Sequence, residues 1–496
     1  MVRAVIRIIK VIVILFVTAI VIASAVIHNL IIIPQLSNKC QRYIIYCMKK
    51  KDILLIHVPQ CYSAEQEKIE FHIGIMPMGF YSMASQLAKA GFQPEILHLA
   101  VEVFLGDKIP IAEYVRKTGC KMVGLSLHWY QQSFDTLMVA ELIKKSNPDV
   151  FVFLGGYTAS AYAEEILEKY PFIDGIIKGE GEVPCNSLAE QIIKNNSRDL
   201  SQVSNLYWRN EEGHIVKNEK TWVANTEELN SFDFADGVKY LKHSDTCLNV
   251  PIVLELNKTI AYLDKVKTFV VCSNRGCAGN CSWCGGGLRA SEIITGRKCV
   301  TVREPQIVAH EIWRLYEKKQ ADRFYFCNDP LPLTQENIIG IMDILGKQAM
   351  VKIKIDYECF ALPTEKFLQS FKKNLHQDSQ VILSPDYALQ KKRKECKTFT
   401  YTNKELLNSI VKMEEMGIKN QVYFGIMPDD DEAERNERER LKVEIEKISP
   451  KTEVLVQKII GIDPLSLWQL EPEKYGITQN LRSFADYYEA SKNGRI

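Results

Sequence analysis

Arg275-Gly276-Cys277-Ala278-Gly279-Asn280-Cys281-Ser282-Trp283-Cys284-Gly285-Gly286-Gly287 follows an apolar run, Thr268 to Val271, that reads as a strand. Its cysteines are spaced C-x3-C-x2-C. Three thiolates on one short loop can hold three irons of a [4Fe-4S] cluster, which normally takes four cysteine ligands, so the fourth iron stays open. A structural zinc site is the competing reading, but zinc prefers four ligands, commonly as two C-x2-C pairs, and the sequence offers no second pair. Three buried free thiols are the plainest alternative. Gly276, Gly279 and Gly285 to Gly287 let the backbone curl tightly and approach a ligand. Cys272, five residues before Cys277, reads as a strand residue packed as a small hydrophobe.

The loop closely resembles that of the radical SAM enzymes, in which the open iron binds S-adenosylmethionine through its amino and carboxylate groups. The resemblance implies Cys277, Cys281 and Cys284 as metal ligands, and a [4Fe-4S] cluster and S-adenosylmethionine as cofactors. Strand and helix patterns alternate after the loop, with strands at 323–327, 351–357, 380–383, 421–426 and 452–460, six with the one before the cysteines. That count matches the family's partial (β/α)6 barrel, here expected over 268–462. Its active site sits at the C-terminal strand ends, as in closed barrels. Those ends carry Asn328-Asp329, Glu358 and Ser384-Pro385-Asp386. Ser384 and Asp386 stand where relatives hydrogen-bond the ribose, and a carboxylate suits a vicinal diol because it accepts two hydroxyl donors. Each also reads as an ordinary helix N-cap. The run Asp429-Asp430-Asp431-Glu432 reads as first-turn acids complementing a helix dipole.

From Asp52 short apolar strands alternate with amphipathic helices, the pattern of a Rossmann-like, flavodoxin-like parallel sheet over 51–190. Strands are expected at 53–58, 92–99, 122–127, 150–154 and 173–178. Ser126 ends the third, Gly155-Gly156 follows the fourth, and Lys178-Gly179-Glu180-Gly181-Glu182 follows the fifth. This resembles the cobalamin-binding domain that precedes many radical SAM cores, where a serine and a Gly-Gly pair line the slot for the nucleotide tail. The resemblance makes cobalamin a third cofactor, with Ser126, Gly155, Gly156, Gly179 and Glu180 against it. In the place of the usual D-x-H-x-x-G stand Gly74, Met76 and Gly79, so the lower-ligand histidine is missing. His128 is a substitute candidate. A flavodoxin-like scaffold without cofactor is the plain reading of the whole domain.

At 496 residues the chain exceeds one core. Lys+Arg 62 against Asp+Glu 61 leaves a net charge of +1, so no global field argues for nucleic acid. Fourteen scattered cysteines around an iron-sulfur loop read as reduced thiols in a cytoplasmic, reducing compartment. Val11 to Ile33 is apolar over about 23 residues, long enough to cross a bilayer, so residues 1–50 read as an N-terminal membrane anchor, with membrane contact expected through 11–33. Three basic residues precede that run and five follow it, at Lys39, Arg42, Lys49, Lys50 and Lys51, which keeps the enzyme on the cytoplasmic side. A cleaved signal peptide is the alternative, with Ala23-Ser24-Ala25 as its site. Residues 191–267 are polar and turn-rich and read as a linker, with a hairpin of 205–208 on 214–217. Residues 463–496 read as a lid over the barrel mouth or a partial extension.

Together these resemblances imply a cobalamin-dependent radical SAM enzyme, a methyltransferase acting on an unactivated carbon. The alternatives are a radical rearrangement or cyclisation without methylation, and a non-catalytic cluster and cobalamin sensor. The expected partners are a small-molecule or lipid-like substrate and an external electron donor of flavodoxin or ferredoxin type.

Overall fold

Ile53–His57 (β1), Pro94–His98 (β2), Met122–Ser126 (β3), Phe151–Gly155 (β4) and Gly175–Ile177 (β5) pair in parallel in the order β2-β1-β3-β4-β5. The computed structural model describes residues 50–60, 70–72, 75–105, 109–248, 253–255, 266–327, 335–347, 351–458, 461–479 and 481–493. Every residue of β1 and β3 is buried, because a parallel sheet is covered by helices on both faces and its strands are apolar throughout. The order reverses between β1 and β3, each of which lies in register beside the other, Ile53 opposite Met122. In sheets of this kind ligands bind at the carboxyl ends of the strands beside such a reversal. The helix Met78–Lys89 covers one face, with Phe80, Tyr81, Ala84 and Leu87 on its buried stripe.

Leu206–Arg209 (β6) and Ile215–Lys217 (β7) form a hairpin that adds antiparallel to β5. Leu206 and Trp208 are buried while Tyr207 and Arg209 are half-buried, the alternation of a strand with one covered face. The 191–267 stretch is therefore more than the connection expected of it. Its later part is stitched to both neighbours: a Cβ at Gly237 would lie 2.2 Å from the Tyr81 carbonyl oxygen, and Arg303 donates to the Phe232 carbonyl at 3.0 Å.

Thr268–Val270 (β8), Arg323–Phe326 (β9), Lys354–Cys359 (β10), Gln380–Asp386 (β11), Lys419–Ile426 (β12) and Glu453–Lys458 (β13) form a second sheet, all parallel and in sequential order. Helices Pro305–Glu317, Gln335–Lys347, Glu365–Asn374, Asn403–Glu415 and Glu432–Ile448 carry the chain back between strands. Winding always in one direction gathers every C-terminal strand end on one rim. The acidic run before the last of these helices is structural. Asp431 caps the helix by accepting from Glu434 N–H at 2.8 Å, Asp430 pairs with Arg438 at 2.8 Å, and Asp429 accepts from the Tyr387 hydroxyl at 2.9 Å.

Residues 461–493 differ from the lid expected of them. Trp468 is fully buried, its ring 6.1 Å from that of Trp283 in the cysteine loop, and its backbone N–H donates to the Ser282 carbonyl at 2.9 Å. The helix Phe484–Lys492 then packs on the first sheet's helices, with Ser491 Oγ donating to the Gln131 carbonyl at 2.6 Å and Phe484 N–H to Glu165 at 2.8 Å. The segment is a clasp between the cysteine loop and the first domain. The apolar run 11–33, with the anchor or signal peptide expected there, lies outside the described residues. Among the described residues no helix is long and apolar enough to cross a membrane.

The clasp makes a prediction. Trp468→Ala removes a fully buried aromatic from its contact with Trp283 and should lower stability by about 3–5 kcal/mol. Chemical denaturation of the variant beside the parent chain measures it.

Candidate functional site

The cysteine loop leaves β8 and its backbone is fixed by contacts from two distant segments. Asn280 N–H donates to Thr398 Oγ1 at 2.6 Å, Ser282 N–H to the Cys396 carbonyl at 2.8 Å, and Gly285 N–H to Asp463 at 3.0 Å. Gly279 and Gly286 N–H groups point at the sulfurs of Cys277 and Cys284, each at 3.3 Å. Such N–H···S bonds stabilise sulfur-bound negative charge. Glycine is required at Gly285 and Gly287 because a Cβ would lie 2.5 Å from the Pro464 carbonyl and 2.8 Å from that of Gly279. Their smallness serves packing of the loop against protein, not the approach to a ligand expected from the sequence.

Burial, then Asp463, then the sulfurs of Cys281 and Cys277 push the Cys284 thiol far above its ordinary range. A cationic centre reverses that penalty, since a coordinating thiol is deprotonated outright. Among the described residues no three His, Cys, Asp or Glu side chains converge on a point where a single ion would sit. A cluster asks for a different arrangement, because each thiolate meets its own iron. Soft sulfur ligands, donated N–H bonds and mutual repulsion between the bare sulfurs fit an iron-sulfur cluster better than a mononuclear zinc ion.

Arg275, two residues before Cys277, lies between two carboxylates of the loop after β5. It donates from Nη1 to Glu180 and to Glu182, both at 3.0 Å, and again to Glu182 from Nη2. Ser82 Oγ completes Glu182 at 2.5 Å, and Arg297 Nε completes Glu180 at 2.7 Å. The Arg297 guanidinium also donates to the Ala224 carbonyl at 2.8 Å, whose own N–H returns to Glu180 at 3.1 Å. Burial raises the Glu182 carboxyl, but Arg275 and Ser82 outweigh it and hold it below its ordinary range. Glu180, expected against a cofactor, takes part in this latch and also lines the adjoining cavity. Gly179 sits at φ +87° with the backbone of Thr295 3.1 Å from where its Cβ would be. It is where the first domain touches the helix that follows the cysteine loop.

Above the latch a cavity of about 360 Å3 opens between the strand ends of the two sheets. Met76, Ser126, His128, Gly155 and Gly156 face it from the first domain, and Cys272, Asn274, Arg275 and Cys327 from the second. Gly74 lies outside the described residues. Burial pushes His128 down to about 4, so its imidazole is neutral at pH 7. Gly156, at φ +105°, has His128 Cα 2.7 Å from a would-be Cβ, whereas a Cβ at Gly155 meets nothing nearer than the Ile177 carbonyl at 3.9 Å. Both glycines line the cavity, but only at Gly155 is a Cβ free of close backbone contact. Gly124, which the sequence reading passed over, lies under the Phe153 ring, 2.4 Å from its would-be Cβ.

On the rim of the second sheet, Tyr325 and Ser384 hydroxyls both donate to Glu358, the latter at 2.8 Å, and burial raises the Glu358 carboxyl. Asp386, in the left-handed region at φ +63°, pairs with Lys397 Nζ at 2.5 Å, beside Cys281. Neither Ser384 nor Asp386 is a helix cap. Asn328 and Asp329 fall outside the described residues. Lys397, Thr398, Asp463, Arg275, Arg297 and Glu182 were not singled out from the sequence, because each acts on a partner remote along the chain. A second groove, of about 510 Å3, runs by Lys352, His376 and Gly417 at the N-terminal ends of β10–β12, away from the cysteine loop.

The latch generates a pH prediction with opposite signs in parent and variant. Glu182's contribution is fully present above the ordinary carboxyl value near 4.5 and is lost only as pH falls through its lower folded value. Arg275→Met leaves Glu182 buried without its cation, a loss of about 3–5 kcal/mol at pH 7. Burial then raises the carboxyl, so the variant should regain stability from pH 7 to pH 5 while the parent gains nothing from Glu182 there. Denaturation midpoints across that range decide it. For the cavity, Gly156→Ala should destabilise the protein without any ligand, whereas Gly155→Ala should leave the midpoint within about 1 kcal/mol.

Residues 73–189 match the model of the B12 binding domain family. The chain is 25% identical over 269 residues to an uncharacterized methyltransferase of Pyrococcus horikoshii, covering 53% of this chain and 51% of that protein. It is 26% identical over 127 residues to the hopanoid C-3 methylase of Methylococcus capsulatus, covering 25% of this chain and 23% of that one. The chain thus spans about half the length of the first of these relatives and about a quarter of the second. Among solved structures, the radical S-adenosylmethionine methyltransferase TsrM from Kitasatospora setae, with cobalamin and a [4Fe-4S] cluster bound, superposes with a TM-score of 0.61 at 15% identity, covering 88% of this chain and 84% of that one. The cobalamin-dependent S-adenosylmethionine radical enzyme OxsB superposes at 0.55 and 13% identity, over 90% of this chain and 56% of that one. Residues 73–189 are thus similar to a B12 binding domain, and the fold of the whole chain is similar to that of these two cobalamin-dependent radical S-adenosylmethionine enzymes.

Proposed function

We propose that the protein is a cobalamin-dependent radical SAM methyltransferase acting on a small molecule. The observation that carries this reading is the cavity itself, with the strand ends of the B12 binding domain on one wall and those of the cysteine-loop sheet on the other. Cys277, Cys281 and Cys284 would hold the [4Fe-4S] cluster, Ser126, Gly155 and Gly156 the corrinoid, and Ser384 and Asp386 the S-adenosylmethionine. Bound there, the cluster supplies an electron to S-adenosylmethionine, and cobalamin a transferable methyl group.

The chain's own part is placement and exclusion of water. The Glu180, Glu182 and Arg275 latch fixes the first cysteine against the corrinoid domain. The Glu358, Tyr325 and Ser384 group presents a prearranged polar rim, and Lys397 holds Asp386 in its left-handed turn. Gly179 and Glu180 act on the corrinoid through the latch and the interdomain contact. Met76, at the cavity wall in the place of the usual histidine, would offer a bound corrinoid a weak, soft thioether in place of an imidazole. Apolar cavity walls such as Phe80, Met83 and Leu125 suit a lipid-like or aromatic substrate. The same proposal takes in an external electron donor, a reducing cytoplasmic setting and membrane contact through residues 11–33.

Anaerobic reconstitution tests the reading by counting iron, sulfide and corrinoid per chain. About four irons, about four sulfides and about one corrinoid are expected, with 5′-deoxyadenosine or methylated product on reduction. Ala at Cys277, Cys281 or Cys284 should abolish the cluster absorbance, and Cys272→Ala should leave iron content unchanged. A full cluster retained without Cys281 overturns the ligand assignment, and a chain that binds no corrinoid overturns the cobalamin role. A chain starting near residue 50 should keep both cofactors.

A further inference from the structure

Two thiols outside the cysteine loop meet in the floor of the cavity. β8 and β9 pair in parallel with Thr268 opposite Arg323 and Val270 opposite Tyr325. Val271 N–H, donating to the Tyr325 carbonyl at 2.8 Å, carries the ladder one step further. The same offset sets Cys272 opposite Cys327, and side chains opposite one another in a parallel pair leave the sheet on the same face. Both residues line the cavity, and both are free thiols. Cys272 is near enough to Cys327 to add, after burial and Glu358, to the rise of its thiol to about 12.

Neighbouring strands lie about 4.8 Å apart, within the span of about 4.4–6.8 Å between Cα atoms that a disulfide bridges. Cys327 directly follows the last residue of β9, and Cys272 lies two residues past the end of β8 with its carbonyl accepting from Arg303 at 3.0 Å, so the apposition is held in place. Cys327 is the more exposed of the two. No His, Cys, Asp or Glu group among the described residues joins them as a metal site. What remains for two apposed thiols opening on a cavity is redox chemistry.

We propose that Cys272 and Cys327 are a redox-active dithiol in the cavity floor, closed to a disulfide by exchange with a low-molecular-weight disulfide. The Cys327 thiolate attacks one sulfur of the small disulfide and releases one small thiolate. Cys272 then attacks the Cys327 sulfur of the mixed disulfide and releases the second. Two protein S–H bonds are lost, one S–S bond forms, and the small disulfide is reduced to two thiols, the two protons going to them. Closure ties β8, which leads into the cysteine loop, to β9. Burial keeps both thiols protonated, so exchange is slow and is read at equilibrium.

The test uses the cluster-loaded full chain, held anaerobically in glutathione buffers of rising glutathione-disulfide content, acid-quenched, alkylated and mapped by peptide mass. Exposed Cys299 reports that the reagent is active, as a mixed disulfide with glutathione. Alkylation at Cys272 and Cys327 should fall together as a peptide joining them appears, with cluster absorbance unchanged. Cys272→Ser should remove the joined peptide and leave Cys327 as thiol or glutathione adduct, and Cys327→Ser should leave Cys272 fully alkylated. Two outcomes overturn the proposal: both cysteines alkylated in full while Cys299 is glutathionylated, or Cys272 joined to a cysteine other than Cys327. Neither depends on turnover, so failure here is distinct from failure of the methyltransferase reading.

Discussion

A guanidinium shared by two carboxylates is the interaction on which the site depends. Glu182 is 1% exposed and Glu180 9%, and each would cost several kcal/mol to bury alone. Arg275 answers both, Ser82 and Arg297 fill the remaining lone pairs, and the ions become tolerable only in this one arrangement. Such an arrangement has little slack. It fixes the loop after β5 to the residue that opens the cysteine loop, and so fixes the B12 binding domain to the place where the thiols lie. The neighbouring glycines follow from the same demand, since Gly276 and Gly179 are in the left-handed region and each meets another backbone at close range.

Further ties act on the far side of the cysteine loop. The stretch 396–398, beyond β11, supplies a carbonyl and a hydroxyl to the loop's backbone, and Asp463 supplies a carboxylate. Trp468 closes over Trp283 before the chain runs back to the first domain's helices. A loop with three reactive sulfurs and little regular structure is thus held by long-range contacts. That is how an irregular segment can present fixed ligands without a helix or strand of its own.

The parallel strands and their helices were legible because their signal is local: continuous apolar runs for covered strands, and a 3.6-residue stripe for helices such as Met78–Lys89. The cysteine spacing was legible for the same reason. The latch was not, because Glu182 and Arg275 are 93 positions apart and nothing near either marks its partner. A Gly-Glu-Gly-Glu turn after a strand looks identical whether its carboxylates face a ligand, an arginine or, as Glu180 does, both a cavity and Arg275. Gly156 faces the cavity, but its missing side chain also makes room for the His128 backbone, a packing demand that the sequence does not display. The hairpin of 205–208 on 214–217 was legible too, whereas the clasp beyond residue 461 lacks strong periodicity and is set by tertiary contacts and not by pattern.

Strand polarity distinguishes the cavity from the groove on the second sheet, both lined by described residues. The larger groove lies at the N-terminal ends of β10–β12, where a sheet of sequential parallel strands keeps the residues that stabilise it. The smaller cavity is reached by the C-terminal ends of both sheets at once, those of β3, β4 and β5 in the first and the cysteine-bearing exit of β8 in the second. Neither sheet alone encloses it. The separation between its walls is set by Arg275 and by the contact of Gly179 with Thr295, so the distance across which any chemistry between the two domains must act is a property of the latch.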